Sequence, residues 1–141
     1  MKNISILILV LSLFSVACTT NKPTEKHHHD KSEEVQLNDG NRWKANTETT
    51  SGIKKMQLLL NDFSDKESTE AFTELEENLK VEFTNIFSKC TMTGESHNQL
   101  HTFLKPMLKY FDGLNSGDLK VCQKNYTVLK EHLKEYSKYF E

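Results

Sequence analysis

The sequence predicts an all-α domain, an antiparallel four-helix bundle, preceded by a signal peptide, a disordered tether and a short extended or hairpin segment. Three observations support this. Apolar residues recur at steps of three and four in four segments after residue 50. The chain has only five glycines and two prolines, few for a turn-rich β fold. Short links between amphipathic helices place them antiparallel, so we assign residues 50–141 to the bundle.

The first seventeen residues have the pattern of an export signal. Lys2 supplies a positive start, and an apolar run from Ile4 to Val16 follows, interrupted only by serines. This run is too short to span a bilayer comfortably, and the segment ends in small residues, as a cleaved signal does. We therefore predict that residues 1–17 are a signal peptide outside the fold.

The motif "SVAC" at positions 15–18 resembles the lipobox of bacterial lipoprotein precursors, with Ser15 where leucine is most common. The resemblance implies cleavage after Ala17, a diacylglyceryl group on the Cys18 sulfur and a further acyl chain, such as palmitate, on its amine. Two or more chains anchor a protein stably. We expect a lipid-anchored protein on the outer or inner bacterial membrane, with its domain in the periplasm or at the cell surface. The alternative is an ordinary secretory signal with a chance cysteine.

Residues 18–34 form the predicted tether. After Cys18 the stretch contains no large apolar residue, so it cannot bury enough surface to offset the entropy of ordering. It includes the tract His27, His28, His29 and Asp30. Histidine tracts on flexible segments chelate nickel, copper or zinc weakly. The tract is either such a chelator or a solvated spacer.

Residues 35–49 are predicted to form an extended collar or a hairpin. Val35 and Leu37 alternate with polar residues, and Asn38-Asp39-Gly40 supplies a turn. An isolated two-stranded hairpin is marginal in water. We therefore expect Trp43, the only tryptophan, to dock on the bundle.

The first two helices of the bundle are predicted from periodicity and capping signals. The first spans roughly residues 51–63. The second begins near Ser64, which forms a capping-box pattern with Glu67, and its apolar stripe continues to Cys90. Gly94 is its predicted stop.

The third helix is predicted to begin at Ser96, with Gln99 as the capping-box partner, and to end at Gly113. Pro106 lies inside it and removes one backbone hydrogen bond. Because the apolar stripe keeps its register across Pro106, we predict a kink rather than a break.

The fourth helix has the clearest pattern. Ser116 is its predicted N-cap, with Asp118 in the first turn, where a negative charge suits the helix dipole. Its apolar seam repeats at alternating steps of three and four. The seam consists of Leu119, Cys122, Tyr126, Leu129, Leu133, Tyr136 and Phe140.

The charge balance and the motifs exclude two classes of function. Eighteen basic and twenty acidic residues give a formal net charge of −2, which argues against the basic surface that nucleic acid requires. No nucleophile–base pair or paired carboxylate occurs at a usable spacing, so we expect no enzymatic activity.

Cys90 and Cys122 form either a disulfide or two free thiols. An oxidising envelope favours pairing. The predicted topology instead places them at opposite ends of the third helix, where about 18 residues separate them by ~27 Å, well beyond the Cα limit of ~7 Å for a bridge. Unless Pro106 bends the helix enough to join them, both pack in the core as thiols.

The stretch "KCTMTGESHNQLH", residues 89–101, carries the most specific candidate site. His97 and His101 lie one helical turn apart, the spacing that lets two imidazoles share a metal ion. Asn98 stands where a zincin needs its glutamate, so metalloprotease chemistry is excluded. Copper suits a set with cysteine and methionine, whereas zinc suits one with a carboxylate. The predicted optional third ligand is Glu95, Met92 or Cys90. Alternatively, both histidines are boundary residues that help to cap a turn.

This corner, followed by Pro106, a late cysteine and "HLKEY", resembles small helical lipoproteins of flavobacterial type that have no assigned activity. The resemblance implies the fold and the compartment but no mechanism. We therefore expect a non-enzymatic, lipid-anchored binding protein of the cell envelope with copper or zinc as its ligand. The alternative is a structural or protein–protein interaction lipoprotein that meets an envelope partner without any bound ligand.

Overall fold

The computed structural model describes residues 34–141. The described helices are α1 (Thr47–Asp62), α2 (Thr69–Lys89), α3 (Gly94–Leu114), α4 (Leu119–Lys134) and the one-turn α5 (Tyr136–Tyr139). The predicted signal peptide, the lipidation residue Cys18 and the histidine tract at 27–30 lie outside the described residues.

Helices α1 to α4 form a four-helix bundle, which confirms the predicted fold class for this part of the chain. Links of four to six residues reverse the chain between consecutive helices. α1 packs on α2 and α4, and α3 packs on the same two helices. Residues 34–141 contain isolated β-bridges but no strand. None of their helices is both long enough and apolar enough to cross a membrane.

The apolar stripes of all four helices meet in one core. The predicted seam of the fourth helix lies in it: six of its seven residues are buried, and Leu119 is half-buried. Each large apolar side chain that is removed from water in this way contributes about 1.5–3 kcal/mol. The spacing of apolar residues at steps of three and four predicts these helices, because it places the apolar side chains of each helix on the one face that is buried in the core.

The predicted start of the second helix at Ser64 is wrong. α2 begins at Thr69, and the hydroxyl of its N-cap Ser68 accepts a hydrogen bond from the Ala71 N–H at 3.1 Å. The link before it must carry Phe63 across from α1, because the Phe63 ring lies 4.9 Å from that of Phe72 and joins the core. A helix that began at Ser64 would leave no chain for this crossing.

The predicted stop at Gly94 and the Ser96 capping box are also wrong. α2 ends at Lys89, and Gly94 is the first residue of α3, with a φ of 63° that disfavours any side chain. The Ser96 hydroxyl donates to the Thr93 carbonyl. The Gln99 side chain instead accepts a hydrogen bond from the Gln36 N–H at 2.7 Å and so ties the collar to α3.

α3 is continuous across Pro106 to Leu114, one residue beyond its predicted end, so the proline does not break the helix. At the next corner, Asp118 and not Ser116 is the N-cap of α4. The Asp118 carboxylate accepts from the N–H groups of Lys120 and Val121, at 2.9 and 3.2 Å. A carboxylate at this position satisfies two otherwise unpaired donors and also suits the helix dipole.

The collar precedes α1, which begins at Thr47, several residues earlier than predicted. Its tip is the predicted turn. Asn38 and Asn41 exchange backbone hydrogen bonds of 2.8 and 2.9 Å, and Asp39 and Gly40 between them both have positive φ. Two positive φ values define a type I′ turn, for which Asp-Gly is a favoured pair.

Trp43 docks on the bundle, as predicted. Its N–H donates to the Tyr139 carbonyl at 2.7 Å, and its own carbonyl accepts from the Glu141 N–H at 2.9 Å. These bonds form a parallel bridge between Trp43 and Phe140. The indole N–H donates to the Gln36 carbonyl at 2.6 Å. The collar is therefore held against the segment that follows α4.

Candidate functional site

The histidine pair, His97 and His101, lies on the first two turns of α3. The two Nε2 atoms are 2.9 Å apart, and the ring centroids are 4.5 Å apart with the rings nearly perpendicular. At this distance one Nε2 donates a hydrogen and the other accepts it. His97 is half-buried and His101 is exposed. The predicted spacing therefore brings the two imidazole nitrogens together on an accessible face.

The pKa of His101 is held below its ordinary value of 6.5, first by partial burial and then by repulsion from His97. Part of that burial comes from Phe87 of α2, whose ring centroid is 5.4 Å from that of His101. A lowered pKa keeps the imidazole neutral near pH 7. Neutral imidazole is the form that binds metal.

Glu95, a predicted additional ligand, forms hydrogen bonds with its own helix. Its two carboxylate oxygens accept from the side-chain amides of Asn98 and Gln99, at 2.9 and 2.8 Å. These contacts organise the first turn of α3. Each carboxylate oxygen of Glu95 therefore already accepts a hydrogen bond within α3.

Cys90 and Met92 are turned toward the hydrophobic core. Cys90 is the C-cap of α2, and both side chains pack against the core cluster. Within residues 34–141 no three His, Cys, Asp or Glu side chains are grouped closely enough to hold a metal ion. Within these residues the structure thus brings His97 and His101 together but groups neither Glu95 nor Cys90 with them.

Cys90 and Cys122 are both free thiols in the described part of the chain. Cys122 is fully buried, and its Sγ–H donates to the Leu114 carbonyl at 3.0 Å. The thiol thus supplies a hydrogen-bond donor to a carbonyl at the end of α3. Of the two predicted alternatives, the structure has the free thiols.

His132 of α4 is a half-buried partner of α3. Its ring stacks on Phe103 with centroids 4.4 Å apart, and its Nε2 lies 2.8 Å from the Phe103 carbonyl. A carbonyl oxygen can only accept, so Nε2 carries the hydrogen. Burial is the main reason that the pKa of His132 is lowered.

A pocket of about 370 Å³ lies between α2 and α3, beside the histidine pair. This α2–α3 pocket is lined by Phe83, Phe87, His101, Thr102, Lys105 and Leu108. Phe87 and Leu108 are 43% and 52% exposed, which is high for side chains of their size. Sequence reasoning missed the pocket. The available signal was one extra apolar residue next to each stripe, Phe87 after Ile86 and Leu108 after Met107.

No family model, curated protein or solved structure matches this chain.

Proposed function

We propose that the protein is a non-enzymatic, lipid-anchored binding protein of the bacterial cell envelope, and that its histidine pair binds a transition-metal ion. The observation that carries the proposal is the separation of 2.9 Å between the Nε2 atoms of His97 and His101. The imidazoles of half-buried His97 and exposed His101 already converge, so an ion can take the place of the hydrogen that their Nε2 atoms share. The lowered pKa of His101 keeps its lone pair available at neutral pH.

Copper(II) is the expected ion, because sites with nitrogen ligands generally bind copper(II) more tightly than zinc(II). The 2.9 Å separation is that of the hydrogen bond between the two Nε2 atoms. A bound ion takes the place of the shared hydrogen, at metal–nitrogen distances of about 2.0–2.1 Å.

The remaining coordination positions are left to water or to groups from another molecule. A site with two protein ligands exchanges its ion more readily than a closed four-ligand site. Such a site suits reversible binding or transfer of the ion at a membrane surface better than permanent structural use.

The test is a calorimetric titration of the mature chain, purified without an affinity column, with copper(II) and with zinc(II). We expect one copper site that the variant His97→Ala/His101→Ala lacks and that a His27→Ala/His28→Ala/His29→Ala variant keeps. Electron paramagnetic resonance of the copper complex should show nitrogen ligands in equatorial positions.

A shifted-pair control keeps the number of histidines constant. His101→Ala/Thr102→His places the imidazoles five positions apart, on different faces of α3, and should lose the site. Equal copper affinity in the wild-type chain and in the Ala/Ala variant would contradict the proposal, because binding would then belong to the tract at 27–30 or to no defined site.

A second function, an interaction lipoprotein without a ligand, is favoured by a separate observation. Leu58 of α1 and Val81 of α2 are 58% and 60% exposed, outside the α2–α3 pocket. This function predicts an envelope protein partner whose association resists chelators and is lost in Leu58→Lys or Val81→Lys. The metal-binding function predicts that neither substitution affects copper binding.

A further inference from the structure

The α2–α3 pocket has the size of a small-molecule site. Ligand pockets of proteins range over roughly 300–1,000 Å³, and the pocket encloses about 370 Å³. An apolar cavity of about 150 Å³ accommodates one benzene molecule. The pocket therefore has room for an apolar body of about two aromatic rings.

The floor of the pocket is buried and its rim is exposed. Phe83 is almost fully buried, and its ring packs edge-on against Phe111 in the core, with centroids 5.2 Å apart, and at a tilt against Phe87, with centroids 5.0 Å apart. Phe87 and Leu108 hold large apolar surfaces in water on either side. Covering them is favourable for any apolar ligand that fits between the helices.

The charged side chain that lines the pocket is basic. Lys105 is the only residue with a permanent charge among those that line it, and no described residue forms an ion pair with Lys105. The Thr102 hydroxyl is uncharged and donates to the Asn98 carbonyl at 3.1 Å. No acidic side chain of residues 34–141 lines the pocket.

We propose that the α2–α3 pocket binds a small organic anion with an apolar body of about two rings. The apolar body lies between Phe83, Phe87 and Leu108, and the anionic group pairs with the Lys105 ammonium. A carboxylate on an aromatic or short aliphatic body is the class of ligand that fits. This site does not depend on metal binding, because its contacts require neither a metal ion nor His97.

The probe is 2-naphthoate, compared with the cation 2-naphthylmethylammonium, and both are titrated into the mature chain with a chelator present. We expect naphthoate to bind at least about tenfold more tightly than the cation. Lys105→Gln should weaken naphthoate about fivefold, the effect of one partly exposed ion pair. The matched control Lys109→Gln, on the same helix but outside the pocket, should leave its affinity unchanged.

A second pair of variants tests the apolar walls. Leu108→Asn should weaken naphthoate more than Lys105→Gln does, whereas Leu58→Asn, an exposed leucine on α1, should not change it. Circular dichroism checks that each variant keeps its helices. The chelator separates this result from the metal proposal: His97→Ala should abolish the copper site and leave naphthoate binding intact.

Three results would overturn the inference. One is the absence of naphthoate binding by the folded chain, and another is equal affinity for the cation. The third concerns the source of the anion: if vesicles of anionic phospholipid respond to Lys105→Gln while free naphthoate does not, the surface is a membrane contact and not a small-molecule site.

Discussion

At the scale of single residues, His132 combines a structural contact with a titratable group. Pro106 has no N–H, so the Thr102 carbonyl loses its partner within α3. The carbonyl of the next residue, Phe103, accepts a hydrogen bond from His132 of α4. The histidine thus joins the two helices close to the turn that the proline weakens.

The stability of the protein should fall as pH is lowered through about 6.5. The pKa of His132 is below its ordinary value of 6.5, mainly because of burial, although Glu135 and the Phe103 carbonyl oppose the shift. Below about pH 6.5 the unfolded chain binds a proton that the folded chain resists, so the free energy of unfolding decreases until the folded pKa is reached. Urea denaturation at pH 7.5 and pH 5.5 measures this difference.

His132→Gln separates the two roles, because glutamine retains an N–H donor and does not titrate. We expect the variant to show a smaller loss of stability between pH 7.5 and 5.5. His101 contributes in the same direction, since its pKa is also lowered, so His101→Gln in the same background should reduce the dependence further. An unchanged pH dependence in both variants would contradict the assignment.

Residue-level signals explain why the helix starts were only partly predictable. Ser64 and Ser68 both match an N-cap, as do Ser116 and Asp118. One cap is worth about 1 kcal/mol, less than the burial of one aromatic ring such as Phe63. Tertiary packing therefore chooses between neighbouring caps, and the local sequence does not.

At the scale of elements, two glycines mark close contacts between neighbouring helices. A Cβ at Gly52 of α1 would lie 2.5 Å from Cγ1 of Ile86 on α2. A Cβ at Gly113 of α3 would overlap the Asn125 side chain of α4. Both helix pairs thus depend on the missing side chain, but the neighbours differ in how easily they can move.

Gly52→Ala should destabilise the protein. Overpacking against the buried Ile86 costs about 1–3 kcal/mol, while replacing a helical glycine by alanine returns about 1 kcal/mol. We expect a net loss of up to about 2 kcal/mol in urea denaturation. In an Ile86→Ala background the same substitution should become neutral or stabilising, because the clash is gone.

Gly113→Ala is the matched control. Asn125 can rotate away at the expense of its hydrogen bond to the Val121 carbonyl, so we expect a smaller change than for Gly52→Ala. If the two substitutions cost the same, the close approach of α1 and α2 at Gly52 would not be the cause of the destabilisation.

The elements were more predictable than the surfaces between them. Four apolar stripes predict four helices, because each stripe has to be buried. The α2–α3 pocket depends on the distance between two helices, which periodicity does not encode. The histidine pair was predictable because i, i+4 spacing fixes a local geometry. The positions of Cys90 and Met92 instead depend on tertiary packing, since both side chains are partly buried against the core.

At the scale of the whole molecule, the proposed membrane attachment depends on Cys18. Two or more acyl chains on Cys18 would hold the chain stably, and no helix within residues 34–141 qualifies as a span. Expressed in a lipoprotein-processing bacterium, the full chain should enter the detergent phase on Triton X-114 partition, and Cys18→Ala should stay in the aqueous phase. Retention of Cys18→Ala in the detergent phase would contradict lipidation at this residue.

The bridge between Trp43 and Phe140 has a consequence for the order of folding. It belongs to a set of contacts between distant parts of the chain, such as that between Arg42 and Glu141, which are 99 positions apart. Helices α1 and α2, and likewise α3 and α4, are joined by short links and can pair early at small entropic cost. The collar gains its partners only once the bundle has brought them near. We therefore expect the fluorescence of the single tryptophan to report the last step of folding, after the helical signal has already formed.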